Sequence, residues 1–147
     1  MSRIAVKPTL QPELFVYSFP VRVYFENTDA GGVVYHGEYF KFLERARTEW
    51  LRHLGFDHQA LARAHHAMFV VTALAADFIK PARLDETLSV SVHLESLGKV
   101  RCVFAQEIRR EDETLVKARV TVACVTDLAM KPIEIPPALR KKMEAAL

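Results

Sequence analysis

Residues 21–52 read VRVYFENTDAGGVVYHGEYFKFLERARTEWLR, and three patterns meet inside them. The first residues end a run from Leu14 to Phe25 that is rich in Phe, Val and Tyr and reads as a strand, with Pro20 confined to a sheet edge or a bulge. From Tyr35 onward the spacing changes. Apolar residues recur at Tyr35, Tyr39, Phe42, Leu43, Ala46, Trp50, Leu51 and Leu54, which predicts one long helix, stopped by Gly55. Its other face carries Glu38, Lys41, Arg45, Glu49 and Arg52, expected to be solvated, while Glu44 is expected to form ion pairs with Arg45 and Arg47. Between strand and helix lies Asn27 to Gly37, a polar loop with adjacent glycines.

Outward from this segment, Asp57 can cap a short helix running to His65, with Leu61 and Ala64 pointing inward. Four runs rich in β-branched and apolar residues follow: Met68 to Ile79, Thr87 to Leu97, Val100 to Arg109 and Thr114 to Thr126. Gly98 and Lys99 make one tight turn and Arg110 to Glu113 another, so the last three runs form an antiparallel meander. Pro81 to Glu86 reads as a turn of the same kind, and Arg140 to Met143 as one or two helical turns. The order is an α+β arrangement in which one antiparallel sheet wraps a single helix. Sheet edges left open by such a fold are commonly closed by pairing with a second copy, so a homodimer or homotetramer is expected.

The chain of 147 residues, half of them apolar, suffices for one core, and the expected organisation is a loose leader over residues 1–12 and a single domain over 13–147. Twenty Lys and Arg against 18 Asp and Glu leave a charge of +2, too small to call for nucleic acid. Cys102 and Cys124 sit in apolar stretches without metal-ligand spacing and read as buried free thiols. No secretory signal is visible, and no apolar run reaches the roughly 20 residues that span a bilayer. A cytoplasmic setting is the expectation.

Chemistry concentrates in the Asn27–Gly37 loop. A helix starting near Tyr35 or His36 presents unpaired N–H groups and the positive end of its dipole, which can stabilise an oxyanion. Asp29, seven residues before His36, can attack an acyl carbon or deprotonate a water aimed at it. A thioester suits this pair, because a thiol of pKa about 8.5 leaves without much help from an acid. Tyr35 or His36 could donate a hydrogen bond or proton. The plainer reading of Asp29 is a turn cap in a glycine loop, and that of His36 a capping or surface group.

The segment from Val21 to Arg52, with its TDAGGVVYH loop and YFKFLERAR helix, and the later VVTALAADFIKPARLDE closely resemble the YbgC-like acyl-CoA thioesterases. That family lies in the 4-hydroxybenzoyl-CoA thioesterase branch of the hotdog superfamily. The resemblance spans Val21 to about Ile135 and implies a hotdog fold, a five-stranded antiparallel sheet around one long helix. It implies hydrolysis of acyl-CoA, or of acyl groups on an acyl carrier protein, with coenzyme A entering only as part of the substrate and no further cofactor or metal. Asp29 then matches the catalytic carboxylate, as nucleophile or general base, and His36 the residue whose N–H polarises the carbonyl, with Tyr35 and Gly37 beside it. Asn27 stands where an acidic residue is expected. The site is expected at a subunit interface, with Tyr39 and Phe42 as acyl-pocket walls or simply as core. Lys99 and Arg101, or Lys80 and Arg83, are candidates for the CoA phosphates. A link to the Tol-Pal envelope system is implied by association alone. A hotdog hydratase or dehydratase, or a non-catalytic acyl-CoA binding module, are the alternatives.

Overall fold

The computed structural model describes residues 17–147. The predicted leader and the first residues of the predicted strand from Leu14 lie outside that range. The elements are β1 (Tyr17–Arg22), α1 (His36–His53), α2 (His58–His65), β2 (Ala67–Phe78), β3 (Thr87–Leu97), β4 (Arg101–Arg110), β5 (Glu113–Thr126) and α3 (Pro137–Glu144). All five strands join one antiparallel sheet in the order β1-β3-β4-β5-β2. The meander of β3, β4 and β5 is as the turns at Gly98 and Glu111 require.

Buried residues alternate along β3 and β4 and line one face of the sheet. Leu88, Val90, Val92 and Leu94 of β3 point inward beside Phe104 and Ile108 of β4 and Val120 of β5, all buried. Against them α1 lays Tyr39, Phe42, Leu43, Ala46, Trp50 and Leu51. Truncating Leu43 or Phe42 to alanine in such a layer typically costs about 2–5 kcal/mol. A single amide interrupts this hydrocarbon: Gln106 of β4, 2% exposed, donates to the Leu43 and Ser91 carbonyls and accepts from Arg47. Cys102 and Cys124 are free and buried, and burial pushes their thiols up to about 12 and about 11, so neither is a thiolate near neutrality.

Four expectations need correction. Pro81 to Glu86 is not a hairpin turn, because β2 and β3 are separated by β5 and β4, and the segment carries the chain past those two strands. Ala64 is exposed; Leu61 alone of that pair is buried. Tyr35 is the half-exposed residue before the helix, not part of its buried stripe. Glu44 makes no ion pair among the described residues; it accepts from Thr48, while Arg47 turns to Gln106.

The two sheet edges differ in kind. β1 is six residues long and carries Pro20, as the edge rule demands. β2 is twelve residues long, pairs among the described residues only with β5, and leaves Val71 51% and Phe78 48% exposed. Its one charged residue is Asp77.

Candidate active site

The loop between β1 and α1 is a miniature hairpin. The Tyr35 N–H bonds the Asn27 carbonyl (3.1 Å), Thr28 bridges Val34, and the Asp29 N–H bonds the Val33 carbonyl (2.9 Å). Its tip closes through the Gly32 N–H on the Asp29 carbonyl (3.0 Å), with Gly32 at φ +80°, a conformation that favours glycine. Asp29 Oδ1 folds back to accept from the N–H groups of Gly31 (2.8 Å) and Val33 (3.4 Å). A β-carbon on Gly31 would sit 3.3 Å from that oxygen, so glycine keeps the fold-back open. The turn-capping role of Asp29 is therefore real, and it engages one oxygen only. Oδ2 makes no hydrogen bond among the described residues, in a side chain that is exposed.

Helix α1 begins at His36 without a side-chain cap; Tyr35 occupies the N-cap position. Among the described residues the N–H groups of His36 and Gly37 meet no acceptor, while that of Glu38 bonds the Tyr35 carbonyl. Such bare donors at a helix start are a ready anion site. The Tyr35 ring stacks obliquely on His36 (4.3 Å between centroids), and Phe78 of β2 meets His36 edge-on at 6.3 Å.

The loop hangs from the crossing segment. Val34 donates to the Ala82 carbonyl (2.9 Å), the Ala82 N–H donates to the Tyr39 hydroxyl (3.0 Å), and Val33 bridges Arg83. Tyr39 and Phe42 are both buried, and Tyr39 serves as a post that supports the loop through Ala82.

The basic candidates separate. Arg83 is beside the loop, and Lys80 is nearby but paired with Glu113 at 2.7 Å. Lys99 and Arg101 sit beyond the far end of β3, about 30 Å away at ~3.3 Å per residue, and do not join Asp29 within one chain. A cavity of about 320 Å3 is also remote from Asp29. It lies beside the C-terminal half of α1, walled by Trp50, Leu51, Phe69 and Phe104, with Glu44, Thr48 and His58 hydrogen-bonded in a row at its polar side. Glu44, its nearest α1 residue, is about 12 Å along the helix from His36 at ~1.5 Å per residue. The sequence pointed to neither Phe78 nor Ala82 as part of the site, since both act through pairings distant in the chain. No group of three or more potential metal ligands exists among the described residues.

Comparison with known proteins adds the family. Residues 31–117 match the model of the Thioesterase superfamily. The chain belongs to that superfamily. It is 46% identical over 130 residues to the acyl-CoA thioesterase YbgC of Haemophilus influenzae, covering 88% of this chain and 93% of the relative. The acyl-CoA thioester hydrolase YbgC of Escherichia coli is 47% identical over 122 residues, covering 82% and 90%. A crystal structure of a probable thioesterase from Bartonella henselae superposes with a TM-score of 0.80 at 35% identity, covering 82% of this chain and 99% of that one. Thioesterase neighbours of this kind carry the hotdog fold, and this thioesterase superfamily member shares it.

Proposed function

We propose that this protein hydrolyses acyl-CoA thioesters to a free acid and coenzyme A, with Asp29 as the catalytic carboxylate. The single observation that carries the reading is the juxtaposition in one small hairpin of a carboxylate with one oxygen unengaged and a helix start with two bare N–H groups. The thioester carbonyl oxygen lies against the His36 and Gly37 N–H groups, which stabilise the oxyanion as charge develops. Asp29 Oδ2 then either attacks the carbonyl carbon, giving a mixed anhydride and CoA thiolate, or takes a proton from a water that attacks. Either way the C–S bond breaks and one water is consumed: on the base route its oxygen enters the acid, and on the anhydride route it attacks one of the two carbonyls and its oxygen ends on Asp29 or on the acid. No metal or further cofactor enters this scheme.

The apolar β2 edge supports a dimer. Antiparallel pairing of β2 with its copy about a two-fold axis would set the Phe78 end of one strand against the Phe69 end of the other. The second copy's cavity would then adjoin Asp29 and receive the acyl group, and its Lys99 and Arg101 would approach the CoA end together with Arg83. Among the described residues no helix is long and apolar enough to cross a membrane.

The test is a panel of short, long and aromatic acyl-CoAs assayed for CoA release, with enoyl-CoA hydration as the control. Asp29→Asn should lower kcat by roughly 10³-fold or more while circular dichroism stays unchanged; near-normal turnover would refute the assignment. A trapped anhydride, or solvent oxygen on Asp29 after one turnover, selects attack on carbon. Light scattering should give at least twice the 16.7 kDa chain mass, and a monodisperse active monomer would remove the second copy from the site.

A further inference from the structure

Only two polar side chains are buried among the described residues, and one of them, Asn27 at 3% exposure, adjoins the reaction loop. Each of its hydrogen-bonding atoms is engaged. Its N–H donates to the Tyr24 carbonyl (2.9 Å) and its carbonyl accepts from the Tyr35 N–H (3.1 Å). Oδ1 accepts from the Tyr24 N–H (2.8 Å), and Nδ2 donates to Glu38 Oε1 (2.8 Å). Three pieces are thereby joined: the chain leaving β1, the stem of the hairpin two residues before Asp29, and the first turn of α1. A linker with no positional task would not need a buried amide, whose desolvation is offset only when every bond is made.

The chemical fit at Glu38 is directional. Its other oxygen pairs with Lys41 at 2.9 Å, and Arg45 contributes from the next turn. The Lys41 ammonium first, and the Asn27 amide second, hold the Glu38 carboxyl below the usual range, so it is ionised near neutrality and can only accept. Its buried partner must therefore be a donor. Asparagine is, and aspartate is not.

We infer that Asn27 is a positioning residue for hydrolysis: anchored on Glu38, it fixes Asp29 relative to the bare N–H groups of His36 and Gly37. This rests on the reading of Asp29 given above. Asn27 itself is buried and acts through the residues it holds.

The test is Asn27→Asp in the full chain, alone and combined with Glu38→Gln, with kinetics and thermal unfolding followed across pH. The substitution sets two carboxylates against each other. At the higher pH both are ionised and repel, and on acidification the pair takes up one proton and re-forms an O–H···O bond. kcat of Asn27→Asp should fall roughly 10- to 100-fold at the higher pH with KM far less changed, and recover on acidification. The melting temperature should follow the same pH course. Adding Glu38→Gln returns a donor to the pair, so the double variant should regain activity at all pH values and lose the added pH dependence.

An Asn27→Asp variant that tracks the wild type at every pH overturns the inference. So does a double variant as slow as the single one, or one that does not fold, because exchanging amide and carboxylate should restore the pair. If the single variant is unfolded at the higher pH, a folded and active double variant supports the inference by itself. A wild type without thioesterase activity, or an active Asp29→Asn, would sink the reading of Asp29 instead, and the melting curves would still report on the Asn27–Glu38 pair.

Discussion

The two ends of α1 are finished in opposite ways. At the C-terminal end the Leu54 N–H reaches the Trp50 and Leu51 carbonyls, Gly55 reaches Arg52, and Phe56 reaches back to Leu51, with Gly55 at φ +95° turning the chain away. Arg52 adds positive charge where the dipole is negative. At the N-terminal end no side chain caps the helix and two donors stay bare. The short helix α2 shows that this chain can cap when capping is wanted: Asp57 Oδ1 accepts from the Ala60 N–H at 2.8 Å. One end of α1 is closed by its own backbone, and the other keeps two donors unengaged among the described residues, as the proposed carbonyl site requires.

Closing the open end is the direct way to break this contrast. Tyr35→Ser places a capping hydroxyl at the N-cap, where the backbone is already extended (φ −66°, ψ 138°), to compete with the substrate oxygen for the bare donors. kcat/KM should fall roughly 10- to 100-fold with little change in melting temperature. Unchanged turnover would mean that the helix start is not where the carbonyl binds. The opposite end gives the smaller effect. Gly55→Ala forces a side chain into the left-handed region and should cost about 1 kcal/mol in urea unfolding while leaving kcat alone. A loss of activity there would show that the ends are coupled rather than independent.

How legible all this was in the sequence depends on how local the cause is. The α1 stripe, the Gly55 stop, the Asp57 cap, the edge position of Pro20 and the bounds of β3 follow from spacing and from single-residue backbone chemistry. The crossing at 80–86 did not follow, because a proline-led polar segment looks the same whether it joins neighbouring strands or distant ones. Ala64 shows the limit of short helices, where eight residues give too few repeats to fix the buried face. Within the site, Asp29 and His36 stood out by residue type, and the resemblance gave them roles. Asn27 read as a departure of small consequence, since its partner Glu38 lies on a helix face whose charges otherwise look merely solvated. Phe78, Ala82 and the remoteness of Lys99 and Arg101 from Asp29 are facts of strand order and could emerge only with the sheet assembled.

Gln106 has a mechanical consequence beyond its satisfied bonds. A helix resting on hydrocarbon alone can slide or roll by a fraction of a turn, because one methyl contact substitutes for another. An amide clasping the Leu43 carbonyl from the sheet, and itself held by Arg47, acts as a detent at the middle of the rod. It indexes α1 both along and around its axis, so the atoms at the tip near His36 inherit their register from a residue buried more than a turn away.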